Sequence, residues 1–235
     1  MTLLSTYERL YRYHGPQHWW PAESAFEVMI GAILTQNTAW TNVERAIANL
    51  RQHQALDAGR ILRVSATTLA SWLRPSGYFN IKARRLKNFC RWYLDQGGYD
   101  QLSRLDTDKL RHALLSVNGI GPETADDIVL YAFDRPVFVI DAYTRRLFTR
   151  LALVDEKQGY EALRAGFEED LRQQLSQRTR SGRIRPLTLV RLFNEYHALI
   201  VIHGKDVCRS RPLCSNCCLA RHCPYNGRDT RSTYI

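Results

Sequence analysis

Leu114-Leu115-Ser116-Val117-Asn118-Gly119-Ile120-Gly121-Pro122-Glu123-Thr124-Ala125 is the stretch that decides how the rest of this chain is read. Just upstream, Asp106 or Thr107 can N-cap a helix whose apolar residues Leu110, Ala113, Leu114 and Val117 recur at helical spacing. That helix stops at Asn118-Gly119-Ile120-Gly121, where two glycines free the backbone for a tight turn. Pro122 suits the first position of a second helix, because its missing N–H would have no partner there. Glu123, Asp126 and Asp127 place acid in the early turns, and Ala125, Ile128, Val129 and Ala132 give one buried face. The spacing predicts a helix–hairpin–helix, after which the apolar run Val137-Phe138-Val139-Ile140 delivers Asp141. Such a hairpin can aim backbone N–H groups and a helix N-terminus at a phosphate; the same pattern also serves ordinary helix packing.

Working outward, the chain of 235 residues can bury a real core, as one large domain or two small ones. Its 33 Lys plus Arg against 23 Asp plus Glu give a formal charge of +10. That balance favours nucleic acid over a membrane surface as partner, since no amphipathic basic helix or lipid anchor is evident. No apolar run approaches a membrane span and Met1 to Leu10 lacks the parts of a signal peptide, so a cytoplasmic protein is expected.

Before the hairpin, the aromatic segment Tyr7 to Trp20 ends at Pro21, and Ser24-Ala25-Phe26-Glu27 reads as a capping box for a helix burying Phe26, Met29, Ile30, Ile33 and Leu34. The polar turn Thr35-Gln36-Asn37-Thr38 follows, then a helix with Val43, Ala46, Ile47 and Leu50 inward and Thr41-x-x-Glu44 as its box. Leu62 to Leu73 is expected as one short helix, and Asn80 as the cap of Ile81 to Leu94. That last helix carries Lys82, Arg84, Arg85 and Lys87 on what reads as a mainly solvated face, and Cys90 on its apolar one. Beyond Asp141, which can N-cap the helix begun by Arg145 and Arg146, helices are expected around Tyr160 to Leu171 and over Leu187 to His203. Between them Arg178 to Arg185 forms a basic loop that suits either phosphate contact or a mobile surface. Almost no alternating strand pattern occurs, so the fold class is all-α.

Five of the six cysteines fall within Cys208 to Cys223, spaced Cys208-x5-Cys214-x2-Cys217-x5-Cys223 with Cys218 extra. Four thiolates in one short loop can enclose a tetrahedral zinc or a cubane iron–sulfur cluster. A structural zinc site more often pairs two Cys-x-x-Cys knuckles, and this loop has one; Cys218 could also stand in for Cys217.

The hairpin segment with Val139-Ile140-Asp141 resembles the helix–hairpin–helix DNA glycosylases of the endonuclease III superfamily, over nearly the whole chain. The resemblance implies two helical lobes. One, residues 24–134, would be a six-helix barrel-type lobe holding the hairpin unit 106–134; the other would join residues 1–23 and 135–204, with a cluster loop at 205–227. It implies that Asp141 is the catalytic carboxylate, that Gln36 fills the stack vacated by an extruded base beside Asn37, and that Gly119, Ile120 and Gly121 grip DNA. It further implies a 4Fe–4S cluster held by Cys208, Cys214, Cys217 and Cys223 after His203-Gly204, although the first cysteine gap is one residue shorter than usual. Bifunctional members attack the sugar with a Lys at the position of Glu123; a carboxylate cannot form a Schiff base, so a monofunctional enzyme is expected.

Within the superfamily, Trp19-Trp20-Pro21, Leu34-Thr35-Gln36-Asn37-Thr38 and Gly119-Ile120-Gly121-x-Glu123-x-Ala125-Asp126 are most similar to the bacterial type III 3-methyladenine DNA glycosylases. That likeness implies a base pocket of Trp20, Pro21, Trp40 and Glu123, and a cationic alkylated purine as substrate. The sequence departs at Pro122 and in having the cysteine loop. The expected partner is double-stranded DNA with a damaged base, bound by a monomer. An oxidised-pyrimidine or mismatch glycosylase on the same scaffold, and a non-catalytic binder of damaged DNA, are the other two readings.

Overall fold

The computed structural model describes residues 1–180 and 188–226, so most of the basic run Arg178 to Arg185, Leu187 and the tail from residue 227 lie outside the described residues. Among the described residues there are helices and no strands. In chain order they are α1 (Leu3–His14), α2 (Ala25–Leu34), α3 (Trp40–Gln52), α4 (Ala58–Arg63), α5 (Ala66–Trp72), α6 (Phe79–Asp95), α7 (Gly98–Leu102), α8 (Thr107–Leu115), α9 (Pro122–Tyr131), α10 (Ala142–Arg150), α11 (Tyr160–Arg180) and α12 (Leu189–Asp206). No described helix is long and apolar enough to cross a membrane. Two compact units emerge, Trp20–Arg135 and a second made of Met1–Trp19 with Pro136–Ile235.

The unit Trp20–Arg135 is built around α2, whose Val28 to Leu34 are buried without a break. A helix apolar all round must be covered all round, and α3, α6 and α9 pack against it. Each large aliphatic side chain so buried contributes about 1.5–3 kcal/mol. Ser24 caps α2 by accepting from the Glu27 amide at 3.2 Å, but Glu27 does not complete the expected box. Its buried carboxylate is instead gripped by Arg51 of α3 at 2.9 and 3.0 Å.

Other expected caps are displaced. α3 starts at Trp40 from Ala39 without any side-chain cap, so Thr41 is already helical. α6 starts at Phe79 from Tyr78, which adopts a left-handed φ of 45°, so Asn80 lies inside the helix. The helix expected over Leu62 to Leu73 is two helices, because Ser65 caps a new one by accepting from Thr68 N at 3.0 Å. The face of α6 read as solvated is partly interior. Lys82 is 1% exposed and its Nζ donates to Leu34 O (2.9 Å) and Ser76 O (2.6 Å), while Lys87 Nζ donates to the carbonyls of Ile61, Leu62 and Val64. Both lysines therefore close helix C-termini, where the backbone has carbonyls to spare. Burial, helped by Arg85, pushes Lys82 down to about 8. Cys90 is fully buried, as a core residue.

In the other unit, α1 packs on α11 and α12, and α10 packs on α12. The extended run Val137 to Ile140 is buried, and Phe138 meets Phe167, Phe193 and Tyr196. Tyr196 Oη donates to Leu3 O at 2.6 Å, which satisfies the one polar atom of this aromatic core.

Candidate functional site

The hairpin forms as the sequence demands. Asp106 caps α8 by accepting from Lys109 N at 2.8 Å, and Pro122 opens α9 from Gly121. Gly119 has φ 102°, and a Cβ there would meet Arg85 Cγ at 2.5 Å, so a side chain would be strained in conformation and would displace Arg85. Ile120 is buried, so what the turn presents is backbone rather than the Ile120 side chain. Gly121 makes no side-chain cap bond to α9. Arg111 of α8 clamps Asp126 of α9 through Nε (2.5 Å) and Nη2 (3.2 Å), locking the two helices together.

Gln36 is drawn into this hairpin. Its Nε2 donates to Gly119 O at 3.1 Å and Thr124 Oγ1 at 2.9 Å, and its Oε1 accepts from Arg85. The neighbouring Asn37 is exposed, with a left-handed φ of 53°.

The same unit brings together two of the expected pocket residues and adds a third. Trp20 stands edge-on to Trp40, with ring centroids 5.1 Å apart, and edge-on to Tyr131, 5.2 Å away. The Trp20 ring lies so close on α2 that a Cβ at Gly31 would come within 2.9 Å of it. Pro21 is exposed beside Trp20. Asp127 and the exposed Glu123 precede Tyr131 by one and two turns of α9. The sequence signal for Tyr131 is its helical spacing from Glu123.

In the second unit, Asp141 caps α10 and is 9% exposed. Its Oδ1 accepts from Thr144 N at 2.7 Å, and its Oδ2 stands 3.6 Å from Nε2 of the buried His197 on α12. Burial alone would raise this carboxyl. His197, by contact and by charge, and the Thr144 amide outweigh that and hold it below the ordinary carboxylate value.

The cysteine loop follows α12 with only two short 3-10 turns, Cys214–Asn216 and Ala220–His222. Cys208, Cys214, Cys217 and Cys223 line one cavity, walled by Leu147, Leu151, Val207 and Leu219, and Cys218 does not reach it. Among the described residues no three His, Cys, Asp or Glu side chains converge on a single-ion site. Two side-chain nitrogens approach the sulfurs. Arg150 Nη1 is 3.3 Å from Cys208 Sγ, and His203 Nε2 is 3.4 Å from Cys217 Sγ. The loop backbone is held by arginines of α10. Arg146 donates to Cys208 O and Gly204 O, and Arg150 donates to Arg209 O and Ser210 O while its guanidinium lies 4.6 Å over the Tyr225 ring.

Known proteins agree with this architecture. The model of the HhH-GPD superfamily of base excision DNA repair proteins matches residues 30–173. A Methanocaldococcus jannaschii protein, named provisionally as a DNA repair glycosylase, is 44% identical over 220 residues, 92% of this chain and 93% of its own. The structure of an H. pylori 3-methyladenine DNA glycosylase bound to 1,N6-ethenoadenine is similar with a TM-score of 0.74 and 27% identity, over 87% of this chain and 98% of that one. A non-covalent endonuclease III–DNA complex shares the fold at a TM-score of 0.74 and 18% identity, over 96% of this chain and 97% of that one.

Proposed function

The chain belongs to the HhH-GPD superfamily of base excision DNA repair proteins and is a DNA glycosylase, and on that footing we propose that it hydrolyses the N-glycosidic bond of an alkylated purine such as 3-methyladenine, leaving an intact strand with an abasic site. The target base must first leave the stack, because its glycosidic carbon is otherwise out of reach. As the C–N bond breaks, its electron pair departs with the base and positive charge builds on the sugar. Asp141, held ionised, stabilises that charge and then takes a proton from the water that attacks the sugar carbon. A methylated purine already carries positive charge and leaves as a neutral base, so no strong general acid is needed.

The observation that carries the substrate reading is the aromatic cluster of Trp20, Trp40 and Tyr131 beside the Glu123 side of α9. Electron-rich ring faces attract a cationic base over a neutral one, and the likeness to the H. pylori enzyme supports the same choice. With Glu123 where a Schiff-base Lys would stand, strand cleavage by the enzyme is not expected. The N-terminus of α9 and the Gly119–Gly121 backbone would hold a phosphate. The Gln36–Asn37 turn would fill the vacated stack, which for Gln36 means exchanging its internal bonds.

Cys208, Cys214, Cys217 and Cys223 would hold a 4Fe–4S cluster, whose contribution when bound is to cross-link the loop. Four cysteines lining one cavity suit a cluster in which each iron takes one thiolate. They suit less well one zinc with four sulfurs at about 2.3 Å.

The test is to incubate the protein with duplex DNA methylated by dimethyl sulfate and identify released bases by mass spectrometry. Release of 3-methyladenine, strands broken only after alkali, and no borohydride-trapped adduct are expected. No release of methylated bases, or efficient trapping, would overturn the reading.

A further inference from the structure

His197 has no place yet in the chemistry, though its position is tightly determined. It precedes Gly204 by two turns of α12, so both residues face α10. At Gly204 the backbone lies so near Tyr143 that a Cβ would come within 2.6 Å of its ring, and Arg146 Nη2 holds Gly204 O at 2.8 Å. That close approach fixes the register of α12 on α10. Two turns earlier it sets His197 Nε2 3.6 Å from Asp141 Oδ2, an ion-pair separation between two residues only 6% and 9% exposed.

We propose that His197 is a positioning residue for the glycosylase reaction, orienting the Asp141 carboxylate and keeping it in the anionic form that a cationic sugar requires. The proposal rests on the reading of Asp141 as the catalytic carboxylate. Thr144 N fixes only one carboxylate oxygen, and a single bond leaves the group free to swing about it. A second contact from α12 fixes its plane, and the remaining lone pairs stay open to water and sugar. Without a cationic or donor group at this point, burial would favour the protonated acid, which can neither stabilise the sugar nor accept a proton.

The arginines of α10 are engaged elsewhere. Arg145 and Arg146 of α10 donate to Gln158 O and Gly204 O, and Arg150 to Arg209 O. From α1, Tyr7 meets Tyr196 and His14 meets His203.

Two measurements on the full-length protein decide the matter. In the first, the His197 imidazole is titrated by 15N NMR in the parent and in Asp141→Asn. Because coupling between two groups is reciprocal, its pKa should fall by about one unit when the carboxylate charge is removed. An unchanged titration overturns the pairing. In the second, single-turnover base release from methylated duplex DNA is followed in His197→Ala and His197→Gln. The Ala variant should be slower by about tenfold or more at unchanged DNA affinity, with the acid limb of its pH–rate profile displaced to higher pH. The Gln variant, which keeps an N–H donor, should recover most of the rate at neutral pH. A folded Ala variant with the parental rate and profile overturns the proposal. A parent that releases no methylated base removes the alkylpurine assignment, while the histidine titration still decides the pairing.

Discussion

The Gly119 hairpin and the cysteine loop are both irregular segments, yet they are closed in opposite ways. The hairpin is closed by the chain itself: Gln36 and Arg85 tie the turn, and the Arg111–Asp126 pair locks α8 to α9. The cysteine loop has its carbonyls held by Arg146 and Arg150, but its centre is a cavity ringed by thiols. A self-closed turn needs only the right residues; a loop built round a space needs something to fill it. The first should be indifferent to what the solution supplies, and the second should not.

The largest test of that contrast is metal removal. Structural metal sites supply on the order of 10 kcal/mol of ordering energy. The purified protein should be brown, with iron and inorganic sulfide in matching amounts. Cys208→Ser should lose the colour, and proteolysis should nick the loop while the Trp20–Arg135 unit stays resistant. Stoichiometric zinc without sulfide would sink the cluster reading, and equal nicking of both regions would sink the contrast.

Next in size is Lys82, which shows how the hairpin unit pays internally for its order. Its folded pKa of about 8 lies below the unfolded value of 10.5. Below pH 8 both states hold the proton and stability does not depend on it. Between pH 8 and 10.5 only the unfolded chain does, so stability should rise with pH by about 1–3 kcal/mol. Urea unfolding of the parent should show this rise and Lys82→Met should lack it; identical pH slopes would show that the charge is not buried in solution.

Gly119→Ala should cost about 1–3 kcal/mol through its φ of 102°, with the added contact on Arg85, and should weaken DNA binding in the same variant. Unchanged stability would mean the turn can relax, and the hairpin would not be the rigid partner in the comparison. Asn37→Gly is the smallest change. Stability should stay within about 1 kcal/mol, since Asn already tolerates the left-handed region. Base release should nevertheless slow if this side chain enters the stack, whereas a variant as fast as the parent would remove Asn37 from the DNA surface.

Much of the fold was legible because it obeys local rules. The Asp106 cap, Pro122 at the first position of α9 and the Asp141 cap each depend on a few neighbouring residues. What the sequence hid depends on tertiary contact. Glu27 has the spacing of a capping box, but an arginine one helix away takes its carboxylate. Lys82 sits in a basic run that looks solvated, and only the carbonyls of Leu34 and Ser76 reveal it as interior. The break inside Leu62 to Leu73 was visible in principle, since Ser65 is a good cap, but the apolar pattern runs through it. His197 carried no usable signal: its partner lies on another helix, and their contact comes from a glycine seven residues further on.

The division of the chain also governs the order in which it can fold during synthesis. The Trp20–Arg135 unit is one contiguous stretch and has all its contacts available once its last helix leaves the ribosome. The other unit joins segments far apart in sequence: Tyr196 Oη reaches Leu3 O across 193 positions, and Tyr13 Oη reaches Asn216 O across 203. Helix α1 must therefore wait, its apolar side uncovered, until α12 has been made. Long-range contacts of this kind are slow to form and leave apolar surface open to wrong partners. Helix α1 therefore needs protection for longer than the Trp20–Arg135 unit on the way to the native state.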